Sequence, residues 1–200
     1  MPQNLIPAIL VTNGHLFKCA VSGDGQRLLD ILNAPGTDFL KVEDVHVYRH
    51  SSDQCVRTYS DAVIRKSSIT LAILTSAKHE APEKRQNSYS AKDQYEAFVA
   101  IADYEINGTM HLKGNPDATT FLNREAQNFV PITKATVQFN SSADSQPEQR
   151  VVIASKSSID LIQLIRQVND EESLLDSIRS LLNEQADSDD FKDVVGESVL

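Results

Sequence analysis

The chain has 200 residues, of which 40% are hydrophobic and 24% are charged, and its formal net charge is −9. This composition is typical of a globular protein and excludes a wholly disordered chain or one made of membrane-spanning helices. Residues 169–200 carry ten acidic and two basic residues, so the remainder is nearly neutral. A nearly neutral body does not favour nucleic-acid binding through general neutralisation of phosphates.

The chain has two cysteines, Cys19 and Cys55, with no CxxC spacing. We therefore expect neither a disulfide framework nor a zinc site. The N-terminal residues lack a basic region followed by a long apolar segment, so no signal peptide is predicted. We expect a cytoplasmic location.

A short motif occurs twice in the chain. Residues 66–69 read Lys-Ser-Ser-Ile, and residues 156–159 repeat these four residues 90 positions later. Further matches at the same spacing pair Leu32-Asn33 with Leu122-Asn123, Phe39 with Phe129, Val42 with Ile132, Val45 with Ala135, Val47 with Val137, Val63 with Ile153, and Leu71 with Leu161. We interpret this register as an internal duplication, with homologous units at residues 1–75 and 94–168.

The first unit begins with residues 6–21, where an apolar run and an alternating run flank Asn13 and Gly14. An Asn-Gly pair is a strong turn signal, so we predict two strands or one long, bent strand. Closely spaced leucines and an isoleucine predict a short helix over residues 26–32. Residues 33–36 contain proline and glycine and end that helix.

The rest of the first unit is predicted to be extended. Residues 39–48 alternate around a turn at positions 43–44, and the polar residues 50–59 are expected to form a hairpin loop. Residues 62–74 contain two apolar runs joined by the Lys-Ser-Ser corner. Serines at such a corner can hydrogen-bond backbone groups where strand pairing is interrupted.

The second unit repeats this order. Extended segments are predicted at residues 98–102, 104–112, 129–139 and 151–165, with a short helix at 118–122 and a polar loop at 140–149. Before the helix, a spacing of 90 aligns Leu16 with Ile106, whereas 91 aligns Cys19 with Met110. A one-residue insertion in the turn would reconcile the two.

Three segments lie outside the repeated units. Residues 76–93 are polar and are predicted to be a linker. Residues 169–186 begin with a capping-box pattern and are predicted to form an amphipathic helix, whereas residues 187–200 are predicted to be an acidic, flexible tail. The helix could be a lid on an open edge of the second unit or a docking element; its apolar stripe is Leu174, Leu175, Ile178, Leu181 and Leu182.

No motif predicts catalysis, a cofactor or a metal. None of the five histidines stands with another at i, i+4 on a predicted helix, since His46 and His50 lie on a predicted strand and its loop. There is no GxSxG sequence, and residues 23–25 lack the Lys-Ser/Thr ending of a phosphate loop. Lys66 and Lys156 allow two interpretations. They could contact a ligand twice, or they could belong to a hydrogen-bonded strand corner.

The second unit contains YEINGTMHL at residues 104–112, FLNR at 121–124, FVPITKATV at 129–137 and KSSI at 156–159. This order resembles an uncharacterised bacterial domain of unknown function, and the resemblance implies a small β-rich unit without an assigned activity. The first unit departs from the pattern, with Lys18 or Cys19 at the glycine position. The closing strands are also similar to Sm-like small barrels, without the Asp and Asn positions those use to bind RNA.

These patterns predict an α+β, mostly β, protein. Each of the two tandem units would be a small antiparallel sheet or partly open barrel with one short helix, followed by the C-terminal helix. We expect a non-enzymatic protein-interaction or regulatory module with a protein partner or self-association, no membrane contact and no cofactor. A nucleic-acid-binding double barrel is the alternative, and an enzyme of unknown class comes third. The candidate interaction residues are Leu174, Leu175, Ile178, Leu181, Leu182, Lys66 and Lys156.

Overall fold

The structure is a computed structural model that describes residues 5–23, 25–50, 54–76, 92–114, 117–124, 127–139 and 149–166. These residues form ten strands and two short α-helices. The predicted mostly β composition is confirmed. The predicted C-terminal helix and acidic tail, and most of the predicted linker, lie outside the described residues.

The first half of the described chain has five strands and one helix. Leu28 and Leu32, four residues apart, form the buried side of that helix. A 3₁₀ turn, Lys66–Ser68, interrupts the run between the last two strands. The elements are β1 (Leu5–Thr12), β2 (His15–Ser22), α1 (Leu28–Asn33), β3 (Phe39–Arg49), β4 (Cys55–Arg65) and β5 (Ile69–Leu74).

The second half has the same sequence of elements. Its helix begins after Asp117, whose carboxylate accepts a hydrogen bond from the backbone N–H of Thr120 and caps the helix. A 3₁₀ turn, Lys156–Ser158, again separates the last two strands. The elements are β6 (Asp93–Ile101), β7 (Tyr104–Leu112), α2 (Ala118–Arg124), β8 (Phe129–Phe139), β9 (Gln149–Ser155) and β10 (Leu161–Arg166).

All ten strands belong to one antiparallel sheet. The strand order is β10-β6-β7-β8-β9-β5-β1-β2-β3-β4, so the fifth strand of each half lies beside the first strand of that half. The sequence predicted two small sheets or partly open barrels. Within the described residues the two sets of five strands are instead continuous through the pairing of β5 with β9, and the sheet does not close.

Strand pairing gives each position of the first half a counterpart in the second. Ala8 pairs with Cys19 and Ala97 pairs with Gly108, so counterparts before the helix are 89 positions apart. Phe39 pairs with Arg65, and Phe129 pairs with Ser155, so counterparts after the helix are 90 positions apart. The spacing of 90 or 91 predicted before the helix was therefore wrong.

Both halves contain the same β-bulge. The register shifts between Lys18 and Ala20 in β2 and between Asn107 and Thr109 in β7. On the neighbouring strand, Asp44 and Lys134 have φ values of 50° and 49°. The turn predicted at positions 43–44 is thus a bulge inside one continuous strand, because the inserted residue bends the strand without ending its pairing.

Gly108 lies at the bulge of the second half, where the sheet leaves no room for a side chain. A Cβ atom at this position would lie 2.7 Å from Cγ2 of Ile132 and 2.9 Å from the carbonyl oxygen of Thr133. The sequence left open whether Lys18 or Cys19 takes the position of this glycine in the first half. The strand pairing makes Cys19 the counterpart of Gly108. Burial raises the pKa of the Cys19 thiol to about 12.

Within the described residues, the predicted short helices and extended segments were confirmed, whereas residues 140–148 of the predicted polar loop lie outside them. One predicted loop was wrong. Residues 50–59 were predicted to be a hairpin loop, but β4 begins at Cys55. The first six residues of β4 are all exposed, so they lack the alternation of buried apolar and exposed polar residues by which half-buried strands are recognised. No helix among the described residues is long and apolar enough to cross a membrane.

Candidate interaction surfaces

The two halves meet where β5 pairs with β9. The pairs are Leu71 with Ala154, Ala72 with Ile153, and Ile73 with Val152. All six side chains are apolar, and five of them are buried. We call this pairing the junction, and its burial makes it part of the protein core.

Side chains cross the junction in both directions. Val11 and Leu71 of the first half belong to the buried cluster of the second half, together with Val137. Phe129 and Ile153 of the second half belong to the buried cluster of the first half. Each cluster is therefore completed by residues from the other half.

Asn33 forms a polar clamp across the junction. Its Nδ2 donates to the carbonyl oxygen of Phe129 at 2.9 Å, and its Oδ1 accepts from the Phe129 backbone N–H at 2.9 Å. Asn33 ends α1, so this helix is tied directly to the start of β8. Two hydrogen bonds from one amide fix both the distance and the orientation of the two elements.

His50 makes a second polar contact between the halves. Its Nε2 lies 2.6 Å from the carbonyl oxygen of Thr12, and its Nδ1 lies 2.9 Å from the hydroxyl of Tyr104. A carbonyl oxygen only accepts, so Nε2 of His50 carries a proton and donates to Thr12. Burial, and secondarily Asp103, raises the pKa of Tyr104 to about 12.

Lys66 caps the end of helix α1. Its Nζ donates to the carbonyl oxygens of Ile31 at 2.6 Å and Ala34 at 3.3 Å, and to the hydroxyl of Thr37 at 3.0 Å. A cation is favourable at this end because the last carbonyls of a helix carry partial negative charge. Burial lowers the pKa of Lys66, and the Asp38 carboxylate opposes that shift.

Lys156 has the same relation to helix α2. Its Nζ donates to the carbonyl oxygen of Leu122 at 3.2 Å and lies 5.8 Å from the centre of the Phe121 ring. Near Lys66, Ser68 Oγ donates to the carbonyl of Arg65 at 2.7 Å, as expected for a serine corner. These contacts supply a structural reason for the repeated motif, and a ligand role for the two lysines stays a prediction.

A polar cleft of about 630 Å³ lies beside the junction, between the end of α1 and the second half. Its polar lining includes Asn33, Lys66, Ser155 and Ser157. Asn33 and Lys66 are engaged as described, and the hydroxyls of Ser155 and Ser157 lie 3.0 Å apart. These four side chains therefore bond to the protein itself.

Two strands of the described sheet have a side that pairs with no other strand. These free edges are the side of β4 away from β3 and the side of β10 away from β6. Large hydrophobic residues exposed in the described chain lie on these two strands or at the start of β3, next to β4. They are Phe39, Val56, Tyr59, Val63, Leu161 and Ile165. An uncovered strand edge with apolar side chains is a surface suited to pairing with another chain.

Three of these residues have counterparts that the junction buries. With their relative exposures, the buried and exposed members are Phe129 (3%) and Phe39 (50%), Ile153 (0%) and Val63 (62%), and Leu71 (0%) and Leu161 (52%). The same type of side chain is therefore covered at the junction and exposed at a free edge. For Val63 and Leu161, the difference arises from the neighbouring strand, which their counterparts have only at the junction.

An apolar groove of about 280 Å³ accompanies the free edge of β4. Its lining includes Phe17, Val45, Val47, Ala62 and Ile64. These positions correspond in the second half to Ile106, Ala135, Val137, Val152 and Ala154, which are buried together with Leu71. The groove is thus open where the second half is filled.

The structure describes only two of the predicted interaction residues. Lys66 is buried and Lys156 half-buried, each at the end of a helix. The five predicted residues of the apolar stripe, from Leu174 to Leu182, lie outside the described residues. The structure therefore does not test the predicted role of the C-terminal helix.

Sequence reasoning missed Val63 and Leu161 as surface candidates. Both entered the sequence analysis only as apolar positions of the repeat, matched with Ile153 and Leu71. A useful signal was present in residues 55–59, where valine, threonine and tyrosine stand at a strand-like spacing. That signal would have extended the strand before the Lys-Ser-Ser corner back to residue 55, without showing that this strand lies at the edge of the sheet.

The described residues contain no group of three or more His, Cys, Asp or Glu residues arranged to hold a metal ion. His111 is exposed, and its Nε2 lies 3.2 Å from the hydroxyl of Thr133. Burial of its ring, together with Lys92 and Lys134, lowers the pKa of His111.

Comparison of the chain with protein-family models, with curated proteins and with solved structures yields no match.

Proposed function

We propose that this protein is a non-enzymatic protein-interaction module that binds through the free edges of β4 and β10. The observation that carries the proposal is the concentration of exposed apolar residues on and beside these edges. An added strand would pair with the free backbone groups, and side chains at alternate positions would enter the neighbouring apolar surface. The cytoplasmic location remains part of the proposal.

We further propose that the two halves arose by duplication of one unit. Support comes from the equal strand order, the bulges beside Asp44 and Lys134, and the lysines that cap both helices. When a unit that associates through strand pairing is duplicated in tandem, one copy of the interface becomes internal to the chain. The duplication leaves one unsatisfied edge at each end.

The nucleic-acid alternative has weaker support. Arg65 stacks on Phe39, with its guanidinium carbon 5.4 Å from the ring centre, and Lys18 lies 4.8 Å from the centre of the Tyr48 ring. A basic and aromatic face of this kind suits single-stranded nucleic acid. However, the counterpart of Arg65 is Ser155, and Phe129, the counterpart of Phe39, is buried, so the exposed stacked pair Arg65–Phe39 has no counterpart in the second half.

A photo-crosslinking amino acid introduced at Val63 tests the proposed function in living cells. We expect a covalent adduct with protein at Val63, because this side chain is exposed at the edge that binds the partner. The matched control is the same amino acid at Gln138, which is exposed on β8, a strand paired on both sides. Excess wild-type protein should compete with adduct formation in extracts, whereas excess Val63→Lys protein should not.

Each outcome has a distinct meaning. Protein adducts at Val63 that the wild type suppresses support the proposed function, whether the partner is another copy or a different protein. Adducts with nucleic acid favour the alternative. Equal labelling at Val63 and Gln138, or none at either, contradicts binding through the edge of β4.

A further inference from the structure

The free edge of β10 is suited to pair with the free edge of β4 on a second copy of this chain. We infer that copies associate head to tail, with β10 of one copy antiparallel to β4 of the next, in the register of the junction. The inference rests on the proposed function, because it names the partner of the same edges. Its basis is that the chain already contains one completed example of this interface.

The junction sets the expected register. Ala72 pairs with Ile153 at the junction, and the counterparts of these residues on the free edges are Ile162 and Val63. The same correspondence aligns Leu161 with Ile64, and Gln163 with Ala62. Both free strands already pair antiparallel on their other side, so each has backbone groups available for one more antiparallel neighbour.

The apolar groove receives a defined side chain in this arrangement. At the junction, Leu71 lies in the cluster whose members are the counterparts of the groove residues. The counterpart of Leu71 is Leu161, which is half exposed on β10. Pairing of two copies would bring Leu161 to the groove and remove both apolar surfaces from water.

The asparagine clamp also has an open counterpart. Asn123 corresponds to Asn33 and is exposed in α2, while Phe39 corresponds to Phe129 and is exposed at the start of β3. We expect the Asn123 amide of one copy to bond the backbone N–H and carbonyl of Phe39 in the next. Such a clamp would fix the relative orientation of the two copies, because it joins the second half of one copy to the first half of another.

A pair of opposite charges favours association between copies at one end of the paired strands. One residue beyond Leu161, the register brings Asp160 opposite Arg65, and both are exposed. Their counterparts at the junction are Thr70 and Ser155, which are buried and uncharged. Opposite charges stand where the proposed interface meets water, and neutral groups stand where the chain has buried it.

The two edges differ from each other, so the interface is heterologous. Each copy contributes β10 to one neighbour and β4 to the other. A two-fold dimer would instead pair β4 with β4 or β10 with β10. This difference allows the two arrangements to be separated by mixing variants.

The test uses the full chain with Val63→Lys, which blocks the β4 edge, and Leu161→Lys, which blocks the β10 edge. Sedimentation velocity over a range of concentrations measures assembly. We expect the wild type to associate and each variant alone to weaken association at least tenfold, because each retains only one edge. An equal mixture of the two should form a 1:1 complex of twice the chain mass that does not grow further. Gln138→Lys, which adds the same charge on β8, should assemble like the wild type.

Other results overturn the inference in distinguishable ways. Self-association of Leu161→Lys alone would indicate two-fold pairing of β4 with β4, and self-association of Val63→Lys alone would indicate two-fold pairing of β10 with β10. Undiminished association of both variants would mean that neither edge forms the interface. A wild type that stays monomeric over the whole range, or a mixture without a complex, would mean that a different protein or the segment after β10 occupies the edges. If a different protein occupies the edges, crosslinking at Val63 should capture it, and the proposed function is then still supported. Val63→Thr and Leu161→Thr, which add no charge, should weaken assembly less than the lysine variants. The 1:1 complex excludes misfolding as the cause, because each lysine variant must present its intact edge to form it.

Discussion

The junction between β5 and β9 and the free edges of β4 and β10 present corresponding strands in opposite surroundings. At the junction, the strands are paired on both sides and five of the six paired side chains are buried; at the free edges, Val63 and Leu161, the counterparts of the buried Ile153 and Leu71, are exposed. The burial of a residue in this protein is therefore decided by its neighbouring strand. A residue type that forms core in one half can form a binding surface in the other.

The largest expected effect is the loss of stability caused by a lysine at the junction, compared with a lysine at the corresponding position of the β4 edge. Ile153→Lys buries an ammonium group at the junction without a partner, and we expect the free energy of unfolding to fall by about 4 kcal/mol or more. Val63→Lys, at the counterpart position, should change it by no more than about 0.5 kcal/mol because the side chain remains in water. Urea unfolding at a concentration where the protein is monomeric measures both. Equal losses would contradict the difference between junction and edge.

The next largest expected effect is the loss of stability when the Asn33 side chain of the clamp is removed, compared with removal of the Asn123 side chain. Asn33→Ala leaves the backbone N–H and carbonyl of Phe129 without their side-chain partner, which should cost about 1 to 3 kcal/mol. Asn123→Ala should leave the stability of the monomer nearly unchanged and weaken only assembly. Urea unfolding gives the first quantity and sedimentation gives the second. A stable Asn33→Ala protein would show that the clamp adds little to the junction.

The capping lysines should differ by a smaller amount. Lys66→Met removes three hydrogen bonds at the end of α1 and should cost about 1.5 kcal/mol. Lys156→Met should cost less, about 0.7 kcal/mol, because this lysine is half-buried and its bond to Leu122 is longer at 3.2 Å. Thermal unfolding of both variants tests the order. The opposite order would indicate that Lys156 is the more important cap.

The last expected effect is a change in stability that appears only at high pH. Tyr104 resists ionisation in the folded protein because its pKa is raised from 10.0 to about 12, so the unfolded chain loses this proton first. Its contribution to stability is full below pH 10 and is lost as the pH rises towards 12. Tyr104→Phe should flatten that part of the stability profile, whereas Tyr59→Phe, at an exposed position, should not. Identical slopes for the two variants would contradict the burial of the Tyr104 hydroxyl.

Much of the secondary structure could be predicted from local signals. Asn13-Gly14 marked the first hairpin, the leucines near position 30 marked α1, and the Lys-Ser-Ser corners marked the ends of β4 and β9. These elements depend on turn geometry and on the spacing of apolar residues within a few positions. The repeated register also gave the matching order of elements in the two halves.

The candidate surfaces could not be predicted in the same way. Val63 and Ile153 have similar side chains in similar local sequences, but one is exposed and the other buried. Their difference depends on β5 pairing with β9 over a long sequence separation, which no local pattern encodes. The bulge at Asp44 was missed for a related reason, since an inserted residue and a turn give the same break in alternation.

Backbone hydrogen exchange of the full-length protein at increasing concentration tests the role of the free edges most directly. We predict that exchange slows together in β4 and β10 over the concentrations at which mass increases, while β7, which is paired on both sides, is unchanged. Unchanged exchange in both edges during assembly, slowing of one edge only, or full protection of both at the lowest concentration would contradict the account.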